Sequence, residues 1–146
     1  MRKMTSLALL GLIGVLATSA PVTPAEDKAA APASDAAKAE PGVKLENLLR
    51  AELEGVKDTE VIVSRVTVPP NSSLPRHWHP GEEFAYVIEG TVTLWQKGKD
   101  DVVGKAGDVM KVPLKQVHTA LTTDEGATIL VFRVHEKGKP ERVLAE

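Results

Sequence analysis

Three of the four histidines in this 146-residue chain fall in one spaced set. His77-x-His79-x3-Glu83-x6-Gly90 is followed by Gly107-x5-Pro113-x4-His118. Imidazole nitrogens and a carboxylate are donors that first-row divalent metals take, and the set suits Fe(II), Mn(II), Ni(II), Cu(II) or Zn(II). A metal so held would act as a Lewis acid or an oxygen-activating centre. No serine–histidine or paired-carboxylate constellation offers a competing engine. The chain has no cysteine, so disulfides and thiolate chemistry are excluded.

The spacing constrains the elements that carry these residues. His77 and His79 are two apart, so on a β-strand both side chains point to one face. Glu83 and His118 must come from other strands, and only a closed sheet brings all four to one point. The wider pattern agrees. Val61–Val68 is rich in β-branched residues and stops at Pro69-Pro70. Phe84–Ile88 and Thr91–Gln96 flank Glu89-Gly90, which predicts a tight hairpin there. Lys97-Gly98-Lys99 turns the chain into Asp101–Val103, Asp108–Val112 ends at Pro113, His118–Leu121 follows, and Ala127–Val134 is the longest apolar run of this part. Short strands punctuated by Gly and Pro predict an all-β sandwich or barrel. Leu45, Leu48, Leu49 and Leu53 recur at helix-like spacing, though a strand around Leu49–Leu53 fits equally.

The N-terminus reads as an address. Met1-Arg2-Lys3 is followed by the apolar run Leu7–Ala17, with no charge from Met4 to Ala25. This is the order of a secretory signal peptide over residues 1–20, with cleavage between 19 and 25, and the run is short of the ~20 residues a membrane span takes. A periplasmic or secreted protein is expected, with no membrane association after cleavage. Residues 21–42 form an Ala/Pro-rich linker with too little apolar surface to order itself, and residues 43–146 form the folded domain. Losing the first 25 residues removes two positive charges and takes Lys+Arg from 18 to 16 against 20 acids, a net charge of −4. No basic cluster points to nucleic acid.

The two histidine-bearing segments resemble the two motifs of the cupin superfamily. The sixteen residues between Gly90 and Gly107 resemble the short gap of small single-domain bacterial cupins. The resemblance implies a double-sheet jelly-roll β-barrel with a disordered N-terminal extension, and a metal held by His77, His79, Glu83 and His118. It also implies a metal-dependent enzyme of dioxygenase, isomerase or lyase type acting on a small molecule. The alternative is a non-catalytic metal- or ligand-binding module. Many family enzymes use Fe or Mn, whereas folding outside the cell favours Zn or Cu. Three positions depart from the motifs: Asn71 and Lys115 stand where Gly is common, and Thr122 where Asn is common. Asn tolerates left-handed backbone, so the turn at Asn71 can survive. Thr122 is expected to alter the pocket's polar lining.

Alternation places Trp78 outward. It also sets Glu83, Ala85 and Val87 inward, and Phe84, Tyr86 and Ile88 outward. The wall beside the metal would then be small and apolar, and the outward aromatics would leave a face for a two-fold homodimer. Arg65 and Arg76 could capture a carboxylate, but surface positions are the commoner fate of arginine. Glu82 reads as solvated and Asp124-Glu125-Gly126 as a turn. His135, outside both motifs, reads as a core or surface residue.

Overall fold

The computed structural model describes residues 42–146; the expected signal peptide and nearly all of the linker lie outside them. Nine strands make up the described part: β1 (Lys44–Glu52), β2 (Thr59–Val68), β3 (His77–Trp78), β4 (Gly81–Gln96), β5 (Val102–Lys105), β6 (Val109–Val112), β7 (His118–Leu121), β8 (Ala127–Glu136) and β9 (Val143–Leu144). All pairings are antiparallel and run in the order β1-β2-β8-β4-β7-β3-β9, with β5 and β6 also paired to β4. This is the all-β, double-sheet jelly roll that the punctuated strand pattern predicts. Among the described residues no helix is long and apolar enough to cross a membrane.

The hairpin expected at Glu89-Gly90 does not form. β4 runs through this point as one 16-residue strand. Its first half pairs with β8 and β6, and its second half with β5 and β7. The register with β8 slips between Val87 and Glu89, and Gly90 has φ +79°. A Cβ on Gly90 would lie 1.9 Å from the Gly126 carbonyl oxygen, so this bulge accepts only glycine. Locally the residue looks like a hairpin glycine. Its tertiary partners make it a corner at which one strand passes between sheets.

The leucine-rich N-terminal segment is a strand rather than a helix. β1 pairs only with β2 on this edge, and its register slips between Asn47 and Leu49. The extra residue, Leu48, breaks the two-residue alternation, which is why the leucines mimic helical spacing. Asn71 and Lys115, standing where glycines are common, both have left-handed backbone, with φ 51° and 56°. Thr122 is tied to the backbone: its Oγ1 donates to the Pro69 carbonyl at 2.5 Å and accepts from the Ser72 amide at 3.2 Å. It closes the turn between β2 and β3.

Alternation holds along β4, where Glu83, Ala85 and Val87 are buried while Tyr86 and Ile88 are exposed. The interior is graded. Val66, Val68, Ala85, Val87, Val92, Leu94, Met110, Val112, Ala127, Ile129 and Val131 form a continuous apolar core. Two residues before Ala85 and two after Val131, the same inward rows carry Glu83 and Arg133, which are directly paired across β4 and β8. The barrel is therefore apolar in one stretch and charged in the next.

Candidate metal centre

His77 and His118 are register partners on β3 and β7, and His79 follows β3 directly. The three rings lie with centroids 4.4–5.2 Å apart, and one nitrogen from each falls within 4.8 Å of the others. All three are buried, as is Glu83. The Glu83 carboxylate reaches the cluster from β4, with Oε2 2.9 Å from His79 Nε2 and Oε1 3.7 Å from His118 Nε2. The sequence set is thus brought to one place by three segments: β3 with the residue that follows it, β4 and β7.

Each ring is oriented through its other nitrogen. His77 Nδ1 donates to the Pro75 carbonyl at 2.7 Å, His79 Nδ1 to the Glu141 carbonyl at 2.5 Å, and His118 Nδ1 to the Gln116 carbonyl at 2.9 Å. A neutral imidazole that donates from Nδ1 carries its lone pair on Nε2, so these contacts select the tautomer that binds metal through Nε2. The Nε2 atoms then face one another and the Glu83 carboxylate, which also accepts from Arg133. His79 Nε2 is buried and has no hydrogen-bond partner, despite its short distance to Glu83. A cation between these atoms satisfies all of them, and the donor set fits a divalent metal.

The electrostatics favour this state. Burial, then the neighbouring His118 and His79, lower the His77 pKa to about 3, which keeps that ring neutral and able to coordinate. Burial alone would raise the Glu83 pKa, but the His118 and His79 edges against its oxygens and the charge of Arg133 hold it well below the usual carboxylate range. Glu83 is a carboxylate.

Arg133 was not singled out by sequence reasoning. It is 4% exposed, and its Nε donates to Glu83 Oε2 at 3.0 Å while Nη1 donates to Ser64 Oγ at 3.2 Å. The wall beside the cluster is therefore not purely small and apolar, as Arg133 and Ser64 stand in it. The usable signal was an arginine inside the apolar run Ala127–Val134, at a position whose neighbours Val131 and His135 face inward. The two arginines that were considered face elsewhere. Arg65 pairs with Glu46 at 3.1 Å, and Arg76 stacks 4.3 Å from the Trp95 ring centroid. Glu82 pairs with Lys111 at the surface, as a solvated residue would. His135 is 1% exposed, with Nε2 3.1 Å from the Pro140 carbonyl and Nδ1 3.4 Å from Glu60.

Comparison with known proteins accords with this architecture. A family model described as a cupin domain matches residues 64–133, which include all four set residues and Arg133. A cupin-like protein from Thermotoga maritima has a similar structure, with a TM-score of 0.60 and 25% identity over 70% of this chain and 75% of that one. A conserved protein with a double-stranded β-helix domain from Klebsiella pneumoniae matches at TM-score 0.55 and 26% identity, over 73% of this chain and 88% of that one. The DMSP lyase DddQ from Ruegeria pomeroyi shares the fold at TM-score 0.60 and 23% identity, over 70% of this chain and 51% of the lyase. Among curated protein sequences none matches the chain. Residues 64–133 thus carry a cupin domain, set in a jelly roll shared with cupin-like proteins.

Proposed function

We propose that this chain is an exported, metal-dependent cupin enzyme acting on a small molecule, with a divalent metal held by His77, His79, His118 and Glu83. The observation that carries the reading is the convergence of Nε2 lone pairs and a carboxylate, with His79 Nε2 buried and unpartnered. When bound, the metal supplies Lewis-acid or oxygen-activating chemistry, with one or two positions left for water or substrate if it is six-coordinate. The chain's own contributions are positional. Backbone carbonyls aim the imidazoles, Arg133 anchors Glu83, and burial of all four side chains keeps bulk water from them. Fe, Mn, Zn, Ni and Cu all suit the donor set. The neighbour from Ruegeria pomeroyi, which shares the fold, is a lyase.

The second reading, a non-catalytic metal- or ligand-binding module, draws on the depth of the site: no residue of the set is more than 8% exposed. Elemental analysis of protein recovered from the exported compartment, followed by turnover assays on diols, organic acids and sugars, separates the two. Turnover that disappears on chelation supports the enzyme. A bound metal with no oxygen uptake or product across that panel supports the module.

The assembly we propose is a two-fold dimer. Tyr86, Ile88, Phe132 and Val134 stand on adjacent strands of one outer face and are 38–44% exposed. A contiguous apolar face of this kind marks an interaction surface. The protein should sediment as a dimer at micromolar concentration, and Phe132→Glu should shift it to monomer. A wild-type monomer at that concentration would refute the assembly.

A further inference from the structure

The support of His79 comes from the far end of the domain. The carbonyl that accepts from His79 Nδ1 belongs to Glu141, 62 residues away. That residue is held from several sides. Its Oε1 accepts from Asn47 Nδ2 and from Arg50 Nη2, both at 2.9 Å, and its Oε2 lies 3.9 Å from Arg133 Nη1. The preceding carbonyl, of Pro140, accepts from His135 Nε2. Beyond Glu141, β9 pairs with β3 at His77 and Trp78, and the Ala145 amide donates to the Arg76 carbonyl.

Asn47 and Arg50 are three apart on β1, so regular alternation would put them on opposite faces. The bulge at Leu48 changes this. Asn47 is paired with Ser64 and Arg50 with Ile62, both of which face inward, so the irregularity aims both donors at one carboxylate oxygen. Bulges that re-aim side chains cluster beside functional sites. Asn47 is also committed on its other atom, where Oδ1 accepts from Ser64 Oγ at 2.6 Å, and Ser64 in turn accepts from Arg133.

We infer that Glu141 is a positioning residue of the metal centre. Its carboxylate, gripped by the bulged strand β1, holds its own backbone carbonyl against His79 Nδ1 and so fixes the tautomer and direction in which His79 presents Nε2. The effect on metal affinity rests on the metal reading above; the effect on His79 does not. Outer partners of metal-binding histidines typically contribute ten- to a hundredfold in affinity.

The test uses the full chain with Zn²⁺ as the probe. Chelator competition gives affinity, Co²⁺ absorption gives site geometry, and ¹⁵N NMR of the metal-free protein gives the His79 tautomer. Glu141→Ala should weaken zinc binding by roughly tenfold or more, alter the Co²⁺ bands, and release His79 from its single Nδ1–H tautomer. Glu141→Gln keeps the accepting Oε1 and should stay within about threefold of wild type. The pair Asn47→Ala/Arg50→Ala should match Glu141→Ala, and the triple variant should lose nothing further, because all three act through one contact. If Glu141→Ala fails to fold, the Gln variant and the β1 pair still decide. Unchanged His79 tautomer and unchanged zinc affinity in Glu141→Ala, or in the β1 pair, would overturn the proposal. If wild type binds no zinc, the metal reading falls, and the His79 spectrum of the metal-free variants still decides the role of Glu141.

Discussion

His118→Ala should lose nearly all metal-dependent stabilisation while folding normally without metal. A ligand that binds only the native state stabilises it by RT ln(1 + [L]/Kd), about 4 kcal/mol at a thousandfold excess over Kd. For a domain of this size that corresponds to a melting increase of roughly 15 °C. The alanine variant removes one of three converging imidazoles, which eliminates the increment. Its metal-free stability should fall by a smaller amount, set by the cavity left behind and by the loss of the His118 contacts to Glu83 and to the Gln116 carbonyl. Thermal unfolding with excess Zn²⁺ and with chelator, for wild type and variant, gives all four values. A variant that retains the wild-type metal shift would rule out His118 as a ligand.

Arg133→Met is predicted to be the most damaging single change to the metal-free protein. The Arg133–Glu83 pair is buried on both sides, and removing one partner leaves an uncompensated carboxylate facing imidazole lone pairs. Breaking such a pair typically costs about 3–5 kcal/mol. Two further measurements identify the cause. Saturating metal supplies the missing positive charge, so the deficit should shrink when the site is loaded. Combining Arg133→Met with Glu83→Gln removes the orphaned charge and should recover stability relative to Arg133→Met alone. Urea denaturation measures each. Equal deficits for the single and double variants would mean that arginine packing, not charge, is what Arg133 contributes.

The histidine set was legible in the sequence because it depends on local geometry. His77 and His79 share a face by alternation alone, and a closed sheet is the one way to bring Glu83 and His118 to them. Inward and outward rows of β4 followed from the same rule. Pairings made by topology were not legible. Arg133 meets Glu83 across 50 residues, and Glu141 meets Asn47 across 94. Neither carries a local signal beyond a charged residue amid apolar or polar neighbours. Gly90 shows the complementary failure. A hairpin and a sheet-crossing bulge ask the same positive φ of one glycine, and only the partners of the flanking residues distinguish them. At β1 the bulge hid a strand behind helical spacing.

The 94-residue reach from Asn47 to Glu141 has a consequence for the order of events in a growing or threading chain. His77, His79, Glu83 and His118 all emerge before Glu141, so an early chain can offer metal donors but cannot yet orient His79. Contacts this distant in sequence close late in folding. The finished geometry therefore exists only once both ends of the domain have met, and a cation caught earlier would sit in a looser cage from which it can exchange. If the centre binds metal as proposed, metal selection would be an event of the completed fold, not of synthesis.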